Sequence, residues 1–155
     1  MTLPNLLLHE HFKRGLDLFN RAHFFDAHEA LEDVWRSVPR DRPSRRHLRL
    51  HAPRLHVLRL HVQGLVQLAV AFHHQSTGNH VGARSVLERA LRNLTGAESS
   101  FPEIDFDRLR AELIPWRKYL DDAESADEKR DEKKSGGREV RRHTAPTLPK
   151  IQLRR

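Results

Sequence analysis

The chain has 155 residues, 37% of them apolar and 32% charged, with no cysteine and a formal net charge of +7. That length can bury one core but hardly two, so a single domain with tails is expected. The lack of cysteine excludes disulfides, thiolate metal sites and cysteine catalysis. No run reads as the roughly 18 apolar residues of a membrane span, and residues 3–8 are too short and too interrupted for an export signal, so a cytoplasmic location is expected, with no membrane partner.

The positive charge is localised. Residues 36–59 hold eight arginines against one acid, Asp41, and so carry a formal +7 alone. The stretch 138–155 is also basic, with Arg138, Arg141, Arg142, Lys150, Arg154 and Arg155 against Glu139. Weak, salt-sensitive nucleic-acid contact by these arginine-rich segments is the reading such charge invites. The rest of the chain is near neutral.

In chain order, Leu8, Phe12, Leu16 and Phe19 form a first amphipathic stripe. The stretch FFDAHEALEDVWR, residues 24–36, forms a second helix, with Asp26 suited by charge to its first turn. Pro39 and Pro43 mark the connection after it. There Arg-Leu-His occurs three times at a period of five, beginning at Arg49, Arg54 and Arg59. Five residues turn a helix by about 500°, so successive copies point about 140° apart and build neither a ligand face nor a basic stripe. A duplicated segment is the better explanation. Residues from about 45 to 62 are therefore expected to be an insertion outside the working core, and removal of residues 49–58 is expected to disturb stability little.

A third helix is expected from after Pro53 to about Thr77, apolar nearly all round over 58–72 and hence central. Gly78 and Asn79 supply its stop chemistry. A fourth helix spans about 81–94. Asp105 can cap a fifth that carries Leu109, Leu113, Trp116 and Leu120, with Pro115 expected to kink or split it. Beyond residue 120 the chain is charged and reads as a mostly disordered tail, with 146–153 docking as a short extended piece. No stretch reads as a strand. The expected fold is all-α, a compact helical bundle of about five helices over residues 1–120.

Chemistry is sought where core helices carry polar residues. His28 and Glu32 are i and i+4 on the second helix, with Glu29 and Arg36 beside them. Gln63, Gln67 and His74 fall on one side of the third. The economical expectation is that these two ridges meet. In one reading His28, Glu32 and His74 ligate Zn, Mn or Fe(II) and leave a position open for water. The spacing differs from His-Glu-x-x-His, because Glu32 stands in place of the second histidine. In the other reading the same residues form a buried hydrogen-bond network that fixes the packing. A non-metal pocket for a small molecule or a protein segment is the third. The wider network or pocket takes in Gln63, Gln67, Arg36, Asn79 and Trp35.

Residues 19–36, FNRAHFFDAHEALEDVWR, followed by QGLVQLAVAFHH over 63–74 and GNHVGA over 78–83, resemble the bacterial and archaeal domain-of-unknown-function family 309. The resemblance covers about residues 12–94 and implies an all-helical fold. A label attached to that family also implies a metal-dependent hydrolase. By position, the family's His-Glu-x-x-Glu falls on His28, Glu29 and Glu32, and its Trp-Arg on Trp35 and Arg36. Its glutamine falls on Gln67, its helix-end histidine on His74 and its Gly-Asn on Gly78 and Asn79. Ala22 stands where the family usually has glycine, and the Arg-Leu-His copies lengthen a connection that is compact in the family. The functional expectation is a small metal-dependent hydrolase with Glu29 as general base, against a non-catalytic binding or scaffold module.

Overall fold

A computed structural model describes residues 10–40, 52–132 and 144–154. Among these residues five helices follow one another: α1 (Glu10–Asn20), α2 (Phe24–Ser37), α3 (Ala52–Ser76), α4 (His80–Asn93) and α5 (Phe106–Glu132), with a 3₁₀ turn at Ala97–Ser99. Each packs against the next, so α3 lies between α2 and α4. The fold is all-α, and among the described residues β-pairing is confined to one isolated bridge, between Ile104 and Leu153.

The apolar period of each helix sets what it buries. Phe12, Leu16 and Phe19 of α1 are buried as the stripe requires, while Leu8 lies outside the described residues. Aromatic side chains tie four helices together: Phe19 meets Phe24 at 5.3 Å between ring centroids, Phe24 meets Phe72 at 5.4 Å, and Phe72 meets Trp116 at 5.1 Å. Two glycines set the closest helix approaches. A Cβ on Gly15 would stand 2.7 Å from Leu31 Cγ, and one on Gly64 2.7 Å from Leu94 Cγ.

The turns follow their local chemistry. Ala22 has φ 64°, the left-handed conformation expected at a position better served by glycine, and it redirects the chain from α1 into α2. Gly78 takes φ 81°, and the Asn79 side chain accepts from Gly82 N at 2.9 Å as the N-cap of α4. Asp105 caps α5 through Arg108 N at 3.1 Å.

Four expectations are corrected. The helix α5 is not split at Pro115 but runs through it. Pro115 and Ala111, whose carbonyl loses its donor to the proline, are both exposed, so water can satisfy that carbonyl. The tail also begins later than residue 120, since α5 extends to Glu132, and residues 144–154 dock as the extended piece anticipated from the sequence. The third Arg-Leu-His copy is not an ornament: Leu58, His61 and Val62 are buried in α3 at 3%, 4% and 0% exposure. Residues 41–51, including His51, lie outside the described residues, and His56 is exposed. Finally, Arg54–Ser76 does pass the length and composition test for a membrane span, contrary to expectation; half of it is buried inside the domain, which accounts for its apolarity.

Candidate functional site

Helix α2 buries Phe24, Ala27, Leu31 and Val34 and turns its polar edge outward. At that edge the His28 imidazole stands between two carboxylates. Its Nδ1 lies 3.1 Å from Glu29 Oε1, and its Nε2 lies 3.4 Å from Glu32 Oε2. One candidate donor atom from each of His28, Glu29 and Glu32 gathers within 4.8 Å of the others. Arg36, one turn on, donates to Glu32 Oε1 at 2.9 Å and to Asp33 at 3.5 Å.

The exposure of this cluster decides between kinds of network. His28 and Glu32 keep 24% and 27% of their side-chain surface, while Glu29 and Arg36 keep 55% and 60%. The cluster is therefore a half-exposed edge and not the buried polar knot expected from the sequence. Interactions of this kind are screened by solvent and contribute at most about 1 kcal/mol.

The second ridge is placed elsewhere. Gln67 Oε1 accepts from Asn93 Nδ2 of α4 at 2.9 Å, so it joins α3 to α4 and not to α2. Gln63 is half-buried on the same helix. His74 sits at the end of α3, where its Nδ1 is 3.3 Å from Asn79 Nδ2 and its carbonyl accepts from Asn79 N and Thr77 Oγ1. Among the described residues the His/Glu grouping does not include His74, and no hydrogen bond joins His28 or Glu32 to Gln67 or His74. The expected meeting of the two ridges is thus not formed by direct bonds.

Three neighbours were missed in the sequence. Exposed Phe25 bridges the helices instead, with its ring 6.2 Å from His28 and 5.5 Å from His73 of α3. Arg59 stacks its guanidinium 3.9 Å from the centroid of the Trp35 ring and donates to the carbonyls of Trp35 and Val38 at 2.9 and 2.8 Å. It thereby satisfies carbonyls freed at the end of α2. Trp35 is half-buried, and its Nε1 has no hydrogen-bond partner among the described residues. The third is His11 of α1, whose Nδ1 approaches Asp33 at 3.6 Å beside the cluster. For Arg59 the readable hint was the repeat itself, which puts an arginine next to the apolar stretch of α3.

An imidazole and a carboxylate, His28 and Glu32, with the second carboxylate of Glu29 beside them, suit a borderline or hard divalent ion such as Zn²⁺, Mn²⁺ or Fe²⁺. The half-exposed carboxylates have room to turn toward a common point, so the residues present fit such an ion.

Residues 12–86 match the model of a family described as Domain of unknown function (DUF309). No curated protein and no solved structure matches the chain.

Proposed function

Because the domain over residues 12–86 belongs to the DUF309 family, whose description assigns no activity, we propose that it is a small metal-dependent hydrolase working at the outer edge of α2. The observation that carries the reading is the gathering of His28, Glu29 and Glu32 donor atoms within 4.8 Å on a face open to solvent. His28 and Glu32, stacked one turn apart, would hold a Zn²⁺, Mn²⁺ or Fe²⁺ ion, which when bound supplies Lewis acidity to a water or a substrate carbonyl. Glu29, the more exposed carboxylate, would take a proton from water as general base. Arg36 holds Glu32 in position through its 2.9 Å bond. Exposed Phe25, between His28 and His73, offers an apolar ledge beside the site for the uncharged part of a substrate. A cytoplasmic location is part of the same proposal.

A second reading has its own observation. Both imidazole nitrogens already face carboxylates and Arg36 closes the set, so the cluster is satisfied without an ion. In that case the domain is a non-catalytic binding or scaffold module.

Titration calorimetry with Zn²⁺, Mn²⁺ and Fe²⁺ on the wild type and Glu32→Gln separates the two. The hydrolase reading expects saturable binding of one ion that Glu32→Gln weakens at least tenfold, with the melting temperature nearly unchanged. Wild-type protein that takes up none of the three ions at neutral pH would end that reading and leave the module.

A further inference from the structure

Residues 144–154 reach the hydrophobic core through one side chain, Ile151, which is 3% exposed. They lie extended in a groove between α1, α5 and the 101–105 turn, and side chains of the domain bond to their backbone. Asn20 of α1 uses both ends of its amide on one residue, donating to Ile151 O at 2.9 Å and accepting from Ile151 N at 2.8 Å. Trp116 of α5 donates its Nε1 hydrogen to Thr147 O at 3.0 Å, and Glu112 accepts from Lys150 N at 2.9 Å while Arg108 holds its other oxygen at 3.0 Å. Backbone of the turn completes the register: Asp105 N donates to Gln152 O at 2.9 Å, and Arg154 N donates to Glu103 O at 2.7 Å.

Side chains enter the groove at alternate positions, as an extended chain requires. Pro149 and Ile151 are buried, while Leu148 and Lys150, before and between them, are exposed; the alternation ends there, since Leu153, on the same side as Ile151, is 59% exposed. Pro149 lacks an N–H, so it needs no partner where it is enclosed. Between strap and α5 a pocket of about 500 Å³ remains, reached by Arg108, Glu112, Pro115, Thr147 and Leu148. The strap is thus held by two apolar anchors and a row of bonds to its main chain, with the pocket open to solvent beside it. Recognition of backbone by fixed side chains, with pockets for alternate residues, is how proteins bind extended peptides.

We propose that this groove is a recognition site for an extended peptide carrying buried apolar residues two positions apart, of the pattern Pro-x-Ile, and that residues 144–154 are its tethered ligand. Tethering places that ligand at an effective concentration in the millimolar range, so a peptide in trans competes only when the strap is displaced or severed. This site lies outside the His28 cluster, and its test is independent of any metal.

The probe is a fluorescein-labelled peptide of residues 144–154, followed by anisotropy against the full chain. Ile151→Glu removes an anchor and frees the groove, so the peptide is expected to bind that protein at least tenfold more tightly than wild type. Adding Asn20→Ala should weaken this binding at least tenfold, through loss of both bonds to Ile151. Absence of saturable binding to a folded Ile151→Glu protein overturns the proposal. If that variant does not fold, the wild-type sequence carrying a protease site within 133–143 decides. After cleavage the labelled peptide should replace the severed strap while the domain keeps its cooperative melt. A cut domain that unfolds as the strap leaves, or a strap that never exchanges, makes residues 144–154 part of the fold and ends the idea.

Discussion

Two histidines show how differently one residue type can be used in a small helical domain. His28 stands at a half-exposed edge among charged neighbours, Glu29 and Glu32, in a motif that attracts attention. His61 belongs to the third copy of a repeat and is 4% exposed among neutral oxygens. Its Nε2 is 3.1 Å from the Thr95 carbonyl and its Nδ1 is 2.6 Å from Ser100 Oγ. A carbonyl only accepts, so Nε2 carries the proton and Nδ1 accepts from the Ser100 hydroxyl. One imidazole stands at a half-exposed edge between two carboxylates; the other ties α3 to the segment after α4. The conspicuous histidine contributes little to the fold, and the inconspicuous one holds two segments together.

The largest expected effect breaks or sustains this contrast directly. His61→Ala empties a buried site and strands the Thr95 and Ser100 partners, and should destabilise by about 2–4 kcal/mol. His28→Ala should cost less than about 1 kcal/mol. Urea unfolding of both variants checks the ordering, and equal losses would erase the distinction between them.

The same contrast has a pH dependence. Burial, which outweighs the Thr95 carbonyl bond and the charge of Glu98, pushes the His61 imidazole below its ordinary value of 6.5. Glu98 is itself held below the usual carboxylate range, first by its hydrogen bond from Arg110, so it stays charged near His61 on mild acidification. A depressed imidazole favours the folded state fully above pH 6.5, where both states are neutral. Below that value the unfolded chain binds the proton first, and stability falls as pH descends toward the folded-state value. Melting temperatures measured from pH 7.5 down to 5 should decline, and the decline should be shallower in His61→Gln.

Arg59 comes next. Burial, then repulsion from Arg40, lower its pKa, as expected for a guanidinium partly withdrawn from water over an indole. Arg59→Ala loses the stack on Trp35 and two carbonyl bonds and should cost about 1–3 kcal/mol. Lysine should restore only part of this, because it lacks the planar fork that stacks and bonds together. Chemical denaturation of the three proteins reads the effect. One change runs the other way: Ala22→Gly, at φ 64°, should stabilise by about 1 kcal/mol in the same assay.

These residues also mark how far the sequence could be read. Helices were legible because each buries one face, and a face leaves its period in the apolar residues. Caps were legible too: Asn79 and Asp105 do locally what their chemistry allows. Partners across helices were not. The face of α3 bearing Gln67 can be found from spacing, but whether it meets α2 or α4 depends on rotation about the helix axis, and the structure gives it Asn93. The repeat misled for a related reason: a period of five points successive copies in different directions, and one of them, at His61, happens to point inward. His28, Glu29 and Glu32 were found because they are close in sequence as well as in space. The strap's course was anticipated, but its anchoring by Asn20 was not, since the two are 131 residues apart.

That separation has a consequence in time. During synthesis Asn20 leaves the ribosome long before the backbone it will hold, and at about 5–20 residues per second the interval of 131 residues lasts roughly 7–26 s. Helices α1 to α4 can assemble within that interval, because their contacts run between successive elements. A newborn copy that uses the interval has Asn20 in place before there is anything for it to hold.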